Sequence, residues 1–277
     1  MHHLQTTRMP VFRFGTQMLV LLCSTLLVFF ACTNDDTPKT SAPKDPLVMP
    51  ADAEKAEFSV SDFNCWTELN MFIITGICNN ESADWQRIWL RAVINDKDGK
   101  TLPFKGHPDV VFRAFSDAIP PRGRSAFMVA LPLSNFGGVP DTCQISGAGA
   151  VDMSEGPVLV ASDIGGARQL DPNTQTETGR KASVKISNPQ PGRAVDNLKF
   201  EVLLYDQSNR LWMAQVVNPL DSNFIRNNQL VSDGIGPIPG AGSRTYGFNL
   251  VTQGLPAALQ NGKLSRIDFI PFEARGK

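Results

Sequence analysis

Leu198-Lys-Phe200-Glu-Val202-Leu-Leu204-Tyr-Asp206 is the stretch that decides the fold of this 277-residue chain. Large apolar residues occur at every second position from Leu198 to Leu204, which is the period of a β-strand with one face in a core. The stretch Ile88–Ile94, followed by Asp96, has the same pattern. Polar turn residues come after both aspartates, at 97–100 and 207–210, and apolar residues then resume. Each copy is therefore predicted to be a strand that enters a β-hairpin.

Four further segments match between the two halves of the chain, in the same order. The matches are Phe58–Phe63 with Leu159–Ile164, Ile73–Asn79 with Ala182–Asn188, Ile119–Leu131 with Ile238–Leu250, and Cys143–Gly147 with Leu264–Phe269. Segments that recur in one order predict an internal duplication. In the second of these matches, Asn79 corresponds to Asn188.

Gly, Pro, Asn and Asp separate the matched segments, and the chain has no long helical period, which is typical of short antiparallel strands. About seven such strands in about 100 residues fit an immunoglobulin-like β-sandwich, because a small sheet must cover its apolar face with a second sheet. We therefore predict an all-β protein with two tandem immunoglobulin-like β-sandwich domains, at residues 57–150 and 156–275. The joint between them is short, so we expect the sandwiches to touch or to have restricted swing.

The second half resembles a known family of small domains. Val202-Leu203-Leu204-Tyr205-Asp206, preceded by Ile186-Ser187-Asn188 and followed by Ile238-Pro239-x-x-Gly242, is similar to the signature of FxLYD-type domains. Those domains are immunoglobulin-like modules of bacterial envelope proteins, including lipoproteins. Val202 stands where the family has Phe, and only Asp96 of the signature recurs in the first half. The resemblance implies a binding or structural module and brings no catalytic residues.

The mostly apolar run Leu19–Cys32 follows a leader that carries Arg8 and Arg13 and no acid. About a dozen apolar residues is short for a membrane-spanning helix, which needs about twenty. The run ends in Phe29-Phe30-Ala31-Cys32 and looks like a bacterial lipoprotein signal peptide at residues 1–31, with Cys32 as the lipidated residue. A plain membrane anchor or an ordinary cleaved signal is the alternative. The resemblance implies attachment to a membrane of the cell envelope through acyl chains on Cys32.

The segment after the cysteine is rich in Thr, Ser, Pro, Lys and Asp and lacks apolar periodicity. Such a composition predicts that residues 32–56 form a disordered, flexible tether. Thr33, rather than Asp, follows Cys32. In the lipoprotein sorting pattern of enteric-type bacteria, that implies the outer membrane, most simply its periplasmic side.

Three cysteines remain after the anchor, namely Cys65, Cys78 and Cys143. An oxidising compartment favours one disulfide, with one thiol left over. We expect Cys65–Cys143, because both residues lie at predicted strand ends, although sequence alone leaves the pairing open.

Several kinds of chemistry are hard to build from this composition. The formal net charge is −1 and no basic stripe occurs, so we expect no nucleic-acid partner. His107 is the one histidine after the leader, in a turn-like loop, which leaves a Ser/His/Asp or Cys/His mechanism one candidate base and excludes a multi-histidine zinc site. Asp96-Lys97-Asp98-Gly99 resembles the start of a calcium loop but lacks the closing Glu, so we interpret it as a turn. We predict no catalytic residue, no metal and no cofactor.

Two groups of side chains are candidates for binding. Trp66, Trp85 and Trp89 would suit sugar stacking, although packing in a core or at its rim is the commoner role. The loop at 218–226 carries apolar Leu220, Phe224 and Ile225 outside the matched strands, which is typical of a contact site. The sequence therefore predicts a non-enzymatic, membrane-anchored envelope lipoprotein whose domains bind or scaffold another envelope component. The alternatives are a carbohydrate-binding module on the tryptophans and, less favoured, an envelope hydrolase of an unrecognised class.

Overall fold

Two sets of strands with the same connectivity follow one another along the chain. A computed structural model describes residues 48–217, 231–232, 237–251 and 255–274. Cys32 and its leader, and Leu220, Phe224 and Ile225 of the predicted contact loop, lie outside the described residues. Within these ranges the secondary structure is strand and turn, with two short 3₁₀ segments, so the protein is all-β as predicted. No helix in the described ranges is long and apolar enough to cross a membrane.

The first half contains two antiparallel sheets. Its strands are β1 (Glu54–Lys55), β2 (Phe58–Glu68), β3 (Met71–Asn80), β4 (Gln86–Asn95), β5 (Val110–Arg113), β6 (Arg124–Pro132) and β7 (Thr142–Asp152). The strand order is β1-β7-β4-β5 in the first sheet, which we name sheet 1, and β2-β3-β6 in the second, sheet 2.

The second half repeats this arrangement. Its strands are β8 (Val160–Leu170), β9 (Glu177–Asn188), β10 (Leu198–Asp206), β11 (Leu211–Val217), β12 (Val231–Ser232), β13 (Gly242–Val251) and β14 (Leu264–Glu273). The order is β11-β10-β14 in sheet 3 and β12-β13-β9-β8 in sheet 4. When β2, β3, β4, β5, β6 and β7 are matched with β8, β9, β10, β11, β13 and β14, every pairing among these strands of the first half recurs. The pairings of β1 with β7 and of β12 with β13 do not correspond to each other. The sheets are consistent with β-sandwiches and compatible with the predicted tandem repeat.

Irregular features recur at matching places as well. The pairing of β2 with β3 and that of β8 with β9 both shift register around an aspartate of positive φ, Asp62 at 50° and Asp163 at 49°. After Asp96 and Asp206, the chain turns back through Gly99 and through Asn209, both also of positive φ. Each of these later aspartates accepts backbone N–H groups of its own turn on its carboxylate, which fixes the turn.

Each half has its own core, formed by the alternating residues that the sequence predicts. Ile88 to Ile94 of β4 and Leu198 to Leu204 of β10 point every second side chain inward, and those side chains are at most 6% exposed. Phe72, Phe112 and Phe127 fill the first core, and Phe200, Phe248 and Phe269 fill the second. The aromatic rings of the second core contact each other edge-to-face or stacked, at centroid distances of 5.3 to 6.4 Å.

The structure corrects the expected match between Asn79 and Asn188. Asn188 is fully buried, and its side-chain amide donates to the carbonyl groups of Arg193 and Pro239. In the first half the residue that is fully buried and donates to the equivalent proline carbonyl, that of Pro120, is Asn80. Asn79 is a surface residue bonded to Ser59. The alternation misled because β3 is buried on both faces, so apolar residues occupy the odd and the even positions alike.

Candidate functional site

A third apolar cluster, outside both cores, joins the two halves. The outer face of sheet 2 packs on the outer face of sheet 3, and we call this contact the joint. Its buried members are Ile77 and Ala126 from the first half and Leu203, Tyr205, Leu211, Ala214 and Ile270 from the second. The two halves therefore touch over a mostly apolar buried surface, as expected from the short connection.

Polar groups cross the joint at its centre and along its margin. The Tyr205 hydroxyl, on a fully buried residue, donates to Asp62 Oδ2 at 3.0 Å, and the Thr75 hydroxyl donates to the Leu211 carbonyl at 3.1 Å. Trp66 meets the Trp212 ring edge-on, at a centroid distance of 4.8 Å. Directional contacts of this kind fix the mutual orientation of two surfaces, which apolar burial alone leaves free.

Glu201 is the one carboxyl of the joint that is fully buried among the described residues. Its Oε2 accepts the backbone N–H of Ala126 at 2.5 Å, and its Oε1 lies 2.6 Å from the Ser125 hydroxyl. Burial raises the pKa of Glu201 to about 8, although the contacts with Ser125, Ala126 and the Arg124 charge lower it. Loss of hydration in the joint therefore favours the protonated form of the Glu201 carboxyl over the carboxylate.

The residues of the joint differ from their equivalents on the outer faces at the two ends of the protein. Ile77 pairs with Ala126 in sheet 2, whereas the corresponding pair in sheet 4 is Lys185 with Thr245. Glu201 corresponds to Arg91 on the outer face of sheet 1, and that side chain is 46% exposed and bridged to an aspartate. At these positions the packed faces and the end faces therefore differ: Ile77 and Ala126 are buried in the joint, whereas Lys185 and Arg91 carry charges at the ends.

An open cleft of about 270 Å³ lies at one side of the joint. Its apolar lining combines Trp85 and Pro120 of the first half with Val158, Val160, Ile164 and Pro271 of the second. The Arg124–Asp268 ion pair, at 3.5 Å, crosses from one half to the other beside it. Val158, Val160 and Ile164 are each between 41% and 48% exposed, and exposed apolar clusters of this kind mark contact surfaces.

Cys65 and Cys143 meet between sheets 1 and 2. All three described cysteines are free thiols in the structure, so no disulfide is formed there. The Cys143 thiol donates to Cys65 Sγ, and this hydrogen bond is the main reason why the pKa of Cys65 is lowered and that of Cys143 raised. Cys78 is fully buried in the first core, where loss of hydration raises its pKa to about 12. The Cys65–Cys143 disulfide stays a prediction.

The three tryptophans proposed for sugar stacking lie in different surroundings. Trp66 packs on Trp212 at the joint, and its indole N–H donates to Glu68. Trp85 lines the cleft, and Trp89 in β4 is only 9% exposed. Because Trp89 has so little ring surface in water, the structure gives no shared platform of the three. His107 is exposed in the turn after Phe104, and no group of three or more potential metal ligands occurs in the described ranges.

Sequence reasoning expected the halves to touch but did not identify which faces meet, although two signals for those faces are present. Met71–Cys78 is a nearly unbroken apolar run, and Val202–Tyr205 puts apolar residues on both faces of one strand. Strands with two apolar faces are buried on both sides. Those patterns would have placed a second packing surface on β3 and β10.

The fold and the joint define the class: an all-β protein of packed antiparallel sheets with a buried surface between its halves. Comparisons with known proteins take the identification no further, because no protein-family model matches the chain and no curated protein matches it. A solved structure of red sea bream transglutaminase is similar at 10% identity and a TM-score of 0.22, over 80% of this chain and 30% of that one. At that TM-score the similarity carries no argument about activity.

Proposed function

We propose that the protein is a non-enzymatic envelope lipoprotein, held at the outer membrane through acyl chains on Cys32, whose two rigidly joined sandwiches bind or scaffold another envelope component. The mechanism is positional. The anchor fixes one end, and the joint prevents the halves from swinging, so the contact surface beside the joint keeps a fixed place relative to the membrane.

The place where the chain enters the fold is the observation that carries this proposal. Strand β1 pairs with the end of β7 in sheet 1, through Glu54 with Ala150 and Lys55 with Gly149. Met49 packs over Gly149, where a Cβ atom would lie 2.6 Å from the Met49 sulfur. Sheet 1 is on the side of the first half that faces away from the joint. Since packed sheets lie about 10 Å apart, sheet 4 is held about 30 Å from the anchored side.

The cleft is the surface we assign to the partner. It combines exposed apolar side chains with the ion pair Arg124–Asp268, and the two charges offset each other. Such a surface suits an uncharged, apolar patch of a protein. Leu220, Phe224 and Ile225 of the predicted contact loop stay candidates for the same role.

Site-specific photocrosslinking in cells tests the proposal. A photoreactive amino acid at Val160, in the cleft, should give one discrete adduct with an envelope protein. The same group at Val139, which is 76% exposed but lies in the first half away from the cleft, is the matched control. Equal adducts from both positions, or none from Val160, would refute the assigned surface.

The anchor is tested separately. Cys32→Ser should move the protein from the membrane to the soluble fraction, with the circular dichroism of the purified variant unchanged. Continued retention in the membrane would contradict lipidation at this residue.

A further inference from the structure

The joint contains a fully buried carboxyl group, that of Glu201. Glu201 lies on the outer face of β10, has no exposed surface, and is opposed by β6. Ser125 and Ala126 of that strand contact its two oxygens at 2.6 and 2.5 Å. No other carboxyl among the described residues is both fully buried and bonded to the opposite half of the protein.

Each carboxyl oxygen of Glu201 has a hydrogen-bond donor on β6, and the side chain has no contact with water. The Ser125 hydroxyl oxygen accepts the backbone N–H of Ser116 and lies 3.3 Å from the Ala126 carbonyl. The Ser125 hydroxyl donates to Glu201 Oε1 and the Ala126 N–H donates to Oε2, and a protonated carboxyl can keep both contacts because each of its oxygens still has a lone pair that accepts. An ionised carboxylate accepts the same two hydrogen bonds, but these replace only part of the hydration that its charge loses on burial, so the ionised form is the costlier one in the joint.

Few charges face this carboxyl from the elements packed against it. From β6, Arg124 is the cation, but it is 49% exposed and paired with Asp268 of β14. From β3, the buried Cys78 thiol lies close enough for the Glu201 charge to raise its pKa. Neither group can neutralise an ionised Glu201, since the arginine is shared and the thiol is acidic only at high pH.

We propose that Glu201 is a proton-dependent latch: with its proton, it locks sheet 2 onto sheet 3, and loss of that proton loosens the joint between the two halves. The proton leaves to water, and no bond other than O–H breaks. A protein whose role is to hold a surface in a fixed place would thereby become more rigid in mild acid than in mild alkali.

The direction follows from the two pKa values. An exposed glutamate has a pKa of about 4.5, and the carboxyl in the closed joint has a pKa of about 8. Between these values the closed joint holds a proton that the open joint has lost, so acid favours closure. The closed-to-open ratio therefore falls about tenfold for each pH unit from about 5 to about 8, then levels off.

This pH range is well suited to a test, because it lies between the two pKa values of Glu201 and because His107 is an exposed residue outside the joint. The experiment uses the mature chain with Cys32→Ser and measures urea unfolding at pH 5.5, 6.5 and 7.5. We expect the unfolding equilibrium constant to rise about tenfold per pH unit in this protein. Glu201→Gln, which keeps the shape and removes the proton, should show no such slope.

A merely structural role for Glu201 would change the stability of the glutamine variant without changing the slope. An equal slope in both proteins, or none in the parent protein, would overturn the proposal. Carbon-13 NMR of glutamate carboxyls gives a measurement that needs no variant, since one resonance should titrate near pH 8. If every glutamate titrates below pH 6, the latch does not exist. Neither result depends on whether the cleft binds a partner.

Discussion

Substitution of Ile77 by lysine should open the joint and leave both cores folded. Ile77 is 1% exposed and belongs to the apolar cluster between the halves, not to the core of the first half. Complete burial of an isoleucine side chain contributes about 1.5–3 kcal/mol. A lysine at the same place forfeits that contribution, and its ammonium costs more unless it reaches water. The joint should therefore lose at least about 2 kcal/mol.

The matched control is Lys185→Ile. Lys185 has the same place in sheet 4 that Ile77 has in sheet 2, and its side chain is 43% exposed. Exchange of residues at an exposed position away from any joint should change the free energy of unfolding by no more than about 0.5 kcal/mol. One variant thus places lysine at the buried position, and the other places isoleucine at the equivalent exposed position.

Calorimetry, small-angle scattering and limited proteolysis would measure the result. For Ile77→Lys we expect two thermal transitions, a larger radius of gyration, and cleavage in the connection between Asp152 and Val160. The control should keep the parent's behaviour in all three. If Ile77→Lys stays as compact and as resistant as its parent, the cluster does not hold the halves together.

Two further predictions concern the first half. Asn80→Ala should lower the free energy of unfolding by about 1–3 kcal/mol, because the buried Asn80 amide donates to three carbonyl groups. Its control, Asn79→Ala at the surface, should change the free energy of unfolding by no more than about 0.5 kcal/mol. Equal effects of the two variants in urea unfolding would contradict the match of Asn80 with Asn188. After mild oxidation of the mature chain, we expect Cys65 and Cys143 to be joined and Cys78 alone to react with a thiol reagent in urea. Reduction should then cost about 2–4 kcal/mol, and three reactive thiols in the oxidised protein would rule out the pairing.

The sequence predicted the parts of the fold that depend on local alternation. In β4 and β10 every second residue from Ile88 and from Leu198 enters a core, so the sequence shows their period of two, and it also shows the aspartates that fix the following turns. The recurrence of Ile-Pro-x-x-Gly likewise indicated matching turns, and Gly123 and Gly242 both donate to the proline carbonyl of their motif. These are contacts between near neighbours.

The sequence was misleading where a strand is buried on both faces. The sequence of β3 does not show which of its faces belongs to the core, because even-numbered residues enter the core of the first half and odd-numbered residues enter the joint. Glu201 was equally hard to interpret. A glutamate between apolar residues ordinarily marks a solvated face, and only the arrival of β6 from the other half removes its water.

By itself, the sequence determined that the protein is all-β, where most of its strands lie and how their turns are built, because those features depend on residues a few positions apart. Only the tertiary structure decided which outer faces meet. Ile77, Tyr205 and Glu201 acquire their burial, and Glu201 its raised pKa, from residues more than 70 positions away in the chain. A residue loses its contact with water when any part of the chain covers it, and the local sequence does not show which distant segment will do so.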